Sequence, residues 1–247
     1  MHFEYAGKSD IGKVRKINQD AFGVFQKEDA GLFVIADGMG GYDDGEKASQ
    51  TVVAELSNWW NSFSPILFGY EFQRMMSSID LVIEYANEII YTQYNQNGIC
   101  GTTIVVLFIY RNYYGILYAG DSRCYMLQGR KWKILTVDDV WENQSSISKK
   151  ECMMLNHPNR GKLVKAIGVH KNVSCRMITN VLDKDSVFVL CSDGLYKFCQ
   201  DKDIRNCARK CKDKKKMEHE ISSLINIAYD NEAKDNVTII TVKYFER

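Results

Sequence analysis

The chain has 247 residues, 45% of them apolar and 26% charged, with only 2 Pro and 17 Gly. That balance excludes a disordered or collagen-like polymer and sets the size at one large domain or two small ones, with ample length for a core. The 32 basic and 31 acidic residues leave a net charge of +1, so no whole-molecule field draws the protein to nucleic acid or to an anionic membrane. Apolar stretches such as residues 104–109 fall far short of the ~20 residues that span a bilayer. The opening Met1-His2-Phe3-Glu4-Tyr5 lacks the basic-then-apolar pattern of a signal peptide, so the expectation is a cytoplasmic protein with no membrane insertion. Eight Cys, at 100, 124, 152, 175, 191, 199, 207 and 211, include no Cys-x-x-Cys. They are expected as reduced thiols, several of them in apolar runs. The four His, at 2, 157, 170 and 219, stand at no zinc-like spacing to them.

In chain order, residues 32–36 form a continuous apolar run, the pattern of a strand buried on both faces, which ends at Asp37-Gly38-Met39-Gly40-Gly41. Ala48, Val52, Leu56, Trp59 and Trp60 recur at helical spacing and predict a helix over 45–63, closed by Ser64-Pro65. A second helix is predicted over 71–94, packed on the first as a hairpin. Residues 102–110 and 113–119 read as a β-hairpin about Arg111-Asn112, and 124–127 with 132–135 as another. Residues 138–172 lose periodicity and predict a surface flap with a short helix at 149–155. Strands return at 174–178 and 186–191, helices at 201–210 and 217–229, and a last strand at 237–242. No linker or repeat divides the chain, so one domain over 1–247 is expected. Consecutive strands without intervening helices favour antiparallel sheets with helices on their outer faces over a parallel doubly wound sheet.

One pattern occurs four times: an Asp beside small residues adjoins a buried strand. Asp37 follows 32–36, Asp121 follows 116–120, Asp193 follows 187–192, and Asp235 precedes 237–242. Carboxylates at the ends of apolar strands are costly unless a positive charge offsets their desolvation. A hard divalent cation such as Mg2+ or Mn2+ would do so with oxygen ligands. Gly38 and Gly194 are expected to let the chain turn sharply and bring a carbonyl close to such an ion. Taken singly, each Asp-Gly is a common turn, and Asp121-Ser122-Arg123 reads equally as a solvated turn with a local ion pair. Neither nucleotide fingerprint fits. Asp43 stands where the dinucleotide motif needs Gly, and no Gly-Lys-Ser/Thr follows the glycines.

Taken together, Arg15-x-x-Asn18-Gln19-Asp20, Asp37-Gly38-Met39-Gly40-Gly41, Gly101-Thr102-Thr103, Gly120-Asp121-Ser122-Arg123, Ser192-Asp193-Gly194-Leu195 and Asp235-Asn236-Val237-Thr238 resemble the PP2C (PPM) family of metal-dependent protein phosphatases. The likeness is greatest to its small bacterial single-domain members. It implies an α+β fold, the four-layer α-β-β-α sandwich of two antiparallel sheets flanked by helix pairs. It also implies hydrolysis of phosphoserine and phosphothreonine by a bridging hydroxide at two Mg2+ or Mn2+ ions. By the same resemblance Asp37 bridges the ions, Gly38 offers its carbonyl to one, and Asp193 and Asp235 ligate the other. Asp20, through metal-bound water, and Asn236 sit one layer out. Arg15 receives the substrate phosphate, which suits a planar guanidinium that can bond two phosphoryl oxygens. Asp121 resembles the residue that binds a third, weaker metal.

Some relatives carry an acidic residue four positions after the Ser-Asp-Gly aspartate, where this chain has Lys197. An ammonium there repels a cation, so weak third-metal occupancy is expected. Met39 replaces the His that some relatives place after Asp-Gly, and is expected to serve packing, as is His157 in a flap shorter than usual. The run 210–216, rich in Lys, reads as a solvated junction between helices, with a docking patch for acidic partners as the other reading. The expected partners are phosphorylated proteins, including a serine/threonine kinase, and the expected state is a monomer. A non-catalytic binding module of the same fold and a phosphatase of small phosphate esters remain as alternatives.

Overall fold

The structure is a computed structural model and describes residues 2–40, 44–95, 98–144, 157–182 and 184–245. Strands β1 (His2–Asp10), β2 (Asp20–Lys27) and β3 (Ala30–Met39) lead into helices α1 (Asp44–Ser62) and α2 (Phe72–Gln93). Then come β4 (Gly101–Thr102), β5 (Ile104–Tyr110), β6 (Tyr113–Ala119), β7 (Arg123–Gln128) and β8 (Lys131–Ile134). Strands β9 (Arg176–Val181) and β10 (Ser186–Cys191), helices α3 (Asp193–Tyr196), α4 (Asp201–Lys210) and α5 (Lys214–Asp230), and strand β11 (Val237–Phe245) complete the order. One sheet runs β1-β11-β10-β7-β8 and the other β2-β3-β5-β6-β9, with β4 joined to β3. The pairings are antiparallel.

The continuous apolar runs follow from this layering, because strand side chains alternate between faces and both faces are covered. In β3, Leu32 and Val34 join the core under α1 and α2, whereas Phe33 and Ile35 face the core between the sheets. In β10, Val187 and Val189 meet α4 and α5, while Phe188 and Leu190 turn inward. Three apolar cores thus separate four layers, the α-β-β-α sandwich expected. Cys191, Cys199, Cys207 and Cys211 fill the core beneath α4 and α5.

The differences from the sequence expectation lie mostly at edges. β1 and β2 form one edge of each sheet and were not foreseen, because Asp20–Lys27 lacks the clean alternation of a half-covered strand, with Phe22 and Val24 on one face and Ala21 and Phe25 on the other. The strand predicted over 102–110 is broken at Thr103, which leaves the ladder between β4 and β5. The strand predicted at 174–178 is shifted to β9. Lys214, Lys215 and Lys216 are not junction but the first turn of α5, whose N-cap Asp213 accepts a hydrogen bond from the Lys216 N–H at 2.9 Å. Lys210 and Lys216 both reach Glu220, at 3.2 and 3.1 Å.

In the flap region, Val140 and Leu163 form a β-bridge, as do Thr102 and Ile167. His157 lies flat on Trp141, ring centroids 3.9 Å apart, the packing role expected of it. The helix predicted at 149–155 falls outside the described residues. Among the described residues no helix is long and apolar enough to cross a membrane.

Candidate active site

The ends of β3, β10 and β11 meet at one end of the sandwich, so residues far apart in sequence converge. Arg15, Asp37, Gly38, Asp121, Asp193 and Asp235 line one cavity of about 240 Å³, with Met39 and Thr103 also in its wall. A larger groove of about 580 Å³ lies between α2 and residues 171–173. It has no comparable convergence of charge.

The frame of the cavity is made of backbone and neutral donors. Asp37 pairs with Asp20 across the β2–β3 ladder. Its N–H donates to Thr103 Oγ1 at 3.1 Å, and the Thr103 N–H returns a bond to the Asp37 carbonyl at 2.9 Å. The Thr103 hydroxyl also shares a 2.7 Å hydrogen bond with Ser122. This explains the break at Thr103, whose side chain and backbone clamp the Asp37 peptide. Gly38 donates its N–H to the Gln19 carbonyl at 3.0 Å, and a Cβ at Gly38 would lie 2.1 Å from the Gly45 carbonyl oxygen. A Cβ at Gly194 would lie 1.9 Å from the Asn236 carbonyl oxygen. Close backbone packing therefore demands both glycines. The sharp turn expected at these positions does not occur, as Gly38 continues β3 and Gly194 lies in α3.

Asp20 and Asn236 join the sheets behind the cavity. Asp20 Oδ2 accepts from Ser192 Oγ at 2.8 Å and from Thr238 Oγ1 at 2.6 Å. Asn236 Oδ1 accepts from the Gln19 N–H at 2.9 Å, and its Nδ2 donates to the carbonyls of Ile11 and Ile17 at 2.8 and 3.1 Å. The loop that carries Arg15 is thus stapled to the start of β11. Ser192, Thr238 and Thr103 were visible only as letters within the motifs, and hydroxyls give no pattern of period or charge from which such roles could be read.

Charge dominates the rest. Burial first, and then repulsion by Asp20, Asp193, Asp121 and Asp235, pushes the Asp37 carboxyl well above the usual carboxylate range. Burial likewise raises Asp20 to about 6, against the pull of the Thr238 and Ser192 hydroxyls. Burial and then Asp193 raise Asp121 to about 6. Arg15 Nη2 donates to Asp235 Oδ2 at 2.8 Å, and Lys197 Nζ to Asp193 Oδ2 at 2.5 Å. Asp121 and Ser122 are buried, not a solvated turn, and Arg123 pairs instead with Asp138, at 2.7 Å.

Two side-chain cations therefore face five carboxylates, and among the described residues no cation pairs with Asp37. An excess of buried negative charge with all-oxygen donors fits hard divalent cations, which would offset the desolvation and repulsion that now raise Asp37, Asp20 and Asp121. As they stand, no three of the described acidic, imidazole or thiol groups are drawn together as a finished ligand cluster. Asp235 is held by Arg15 and Asp193 by Lys197.

The two-sheet sandwich flanked by helix pairs carries its acidic cavity at the strand ends. A family model for protein phosphatase 2C matches residues 7–237, and the chain belongs to that family. The serine/threonine phosphatase stp of Listeria monocytogenes is 29% identical over 251 residues, covering 98% of this chain and 96% of that protein. The serine/threonine protein phosphatase PstP of Mycobacterium tuberculosis is 29% identical over 244 residues, 96% of this chain and 44% of that one. Among solved structures, the S. agalactiae serine/threonine phosphatase superposes with a TM-score of 0.83 at 26% identity, covering 99% and 100% of the two chains. The catalytic domain of PstP in complex with 2 manganese ions gives 0.79 at 26% identity, covering 99% of each.

Proposed function

We propose that this chain, a serine/threonine protein phosphatase of the PP2C type, hydrolyses phosphoserine and phosphothreonine by direct attack of water at a site for two Mg2+ or Mn2+ ions. The observation that carries the reading is the convergence of Asp37, Asp193 and Asp235 with Arg15 on one cavity. Asp37, the Gly38 carbonyl, Asp193 and Asp235 would hold the ions. Bound there, the ions supply Lewis acidity that makes a water nucleophilic near neutral pH and offsets phosphoryl charge. The catalytic domain of PstP, solved in complex with 2 manganese ions, supports the count of two ions by its likeness.

The protein's own residues do the rest. Arg15 stands at the cavity wall with its guanidinium half-exposed and its partner Asp235 beside it. An arriving phosphate dianion competes for that fork and is bonded at two oxygens, which orients the ester for in-line attack. Asp20, gripped by Ser192 and Thr238, keeps the Asp37 strand end in register from behind the cavity. The natural substrates are phosphorylated proteins, a serine/threonine kinase among them, and the enzyme acts as a monomer. Phosphate release from a phosphothreonine peptide and from p-nitrophenyl phosphate, with Mn2+ and with chelator, tests the reading. Mn2+-dependent release from the peptide is expected. Release from p-nitrophenyl phosphate alone points to small esters, and no release to a binding module.

A further inference from the structure

Asp121 and Asp193 share one ammonium group. Lys197 Nζ lies 2.5 Å from Asp193 Oδ2 and 3.8 Å from Asp121 Oδ2. The placement is built in. Lys197 caps α3 with its N–H on the Asp193 carbonyl at 3.0 Å, so its side chain returns over the residue four positions before it. Tyr196 completes the ring by donating its hydroxyl to Asp121 Oδ2 at 3.3 Å. The Tyr196 ring is covered by the Arg123 guanidinium at 3.6 Å, and Arg123 in turn is forked onto Asp138 at 2.7 and 3.0 Å. A chain of alternating charge and aromatic contact thus braces Asp121 and Asp193 against the protein's own donors.

Resting on the two-ion reading above, we infer that Lys197 supplies, as a tethered single charge, the cation that Asp121 and Asp193 would otherwise draw from solution. The sequence led to an expectation of repulsion and weak third-metal occupancy. The structure goes further, because the ammonium stands between the two carboxylates on which a third ion would depend. A third divalent ion would have to displace a group tethered to the backbone nearby, which competes as an intramolecular partner. Asp193 meanwhile keeps one fixed orientation toward the cavity, and Lys197 acts as a positioning residue.

Equilibrium dialysis with Mn2+, read by the electron paramagnetic resonance of the free ion, tests this without reference to turnover. Wild type is expected to hold two Mn2+ per chain, Lys197→Ala three, and Lys197→Ala combined with Asp121→Asn two again. Lys197→Arg, which keeps a cation, stays at two. The Lys197 side chain is 49% exposed, so truncation is compatible with folding, and melting of each variant verifies it. Three ions in wild type, two in Lys197→Ala, or three retained after Asp121→Asn overturns the inference and leaves the binuclear reading intact. No Mn2+ in wild type overturns both.

Discussion

The carboxylates at the end of the sandwich are held in two opposite ways. At the rear wall, Asp20 is buried and bonded by two neutral hydroxyls, Ser192 and Thr238, one from the loop after β10 and one from β11. At the cavity mouth, Asp235 and Asp193 are held by the long, half-exposed cations Arg15 and Lys197. A short buried hydroxyl has nowhere else to go, and removing it leaves an unsatisfied acid. The Arg15–Asp235 pair, exposed on both partners, contributes only about 0–1 kcal/mol and exchanges readily for a better partner. The difference separates framework from working surface: the rear fixes the strands, and at the mouth Arg15 can leave Asp235 for phosphate while Lys197 stays on Asp193 and Asp121.

The largest effect should follow from Asp37, which belongs to neither arrangement because no described cation makes a direct ion pair with it. Asp37→Asn is expected to lower Mn2+-dependent kcat by more than about 10²-fold. The metal-free variant should melt no lower than wild type, since a buried acid repelled by its neighbours has been removed. A loss under tenfold in phosphate release would place the ions elsewhere.

At the mouth, Arg15→Ala should reduce kcat/KM for a phosphothreonine peptide by about 10–100-fold, the worth of a charge-assisted hydrogen bond. Arg15→Lys restores only part of it, because an ammonium lacks the planar fork. Unchanged KM and kcat in both would remove Arg15 from the phosphate site.

Behind the cavity, Thr238→Val should cost about 1–3 kcal/mol, or some 2–4 °C of Tm per kcal/mol at this chain length. The pH dependence has a definite sign. Asp20 and Asp121 sit at about 6 in the folded chain against an ordinary 3.8, so the folded state binds their protons more tightly. The stability this lends is full below the ordinary value and is lost as pH rises through about 6. Melts of wild type in chelator from pH 4.5 to 7 should therefore fall more steeply than those of Asp20→Asn, and equal slopes would contradict the assignment. The smallest effect belongs to two exposed lysines, Lys212 between α4 and α5 and Lys215 in the first turn of α5. Lys212→Ala and Lys215→Ala should each stay within about 0.5 kcal/mol by denaturant unfolding.

Much of this architecture was legible before any coordinates. Strands β3, β5, β6, β10 and β11 are apolar on both faces, and α1 and α2 carry one apolar stripe each, so period alone located them. β1 and β2 escaped because their apolar residues are interspersed with polar ones and show neither a continuous run nor a clean alternation. Asp37, Asp193 and Asp235 stood out as acids beside apolar strands, and it was the resemblance to the phosphatase family that joined them with Arg15 in one site. What lay beyond reading were the bonds that cross between sheets: Ser192 and Thr238 on Asp20, Asn236 on Gln19, and Thr103 on Asp37. Hydroxyls and amides of this kind occur throughout any chain, and only their meeting gives them a role.

The linear order of residues by itself determined the layers, the apolar cores and the identity of the acids, because burial and periodicity are local and additive along the chain. Tertiary structure alone decided which charges meet. Coulomb interaction depends on distance through space, so whether Lys197 merely repels a cation or stands in its place is settled only when α3 lays its ammonium between Asp121 and Asp193.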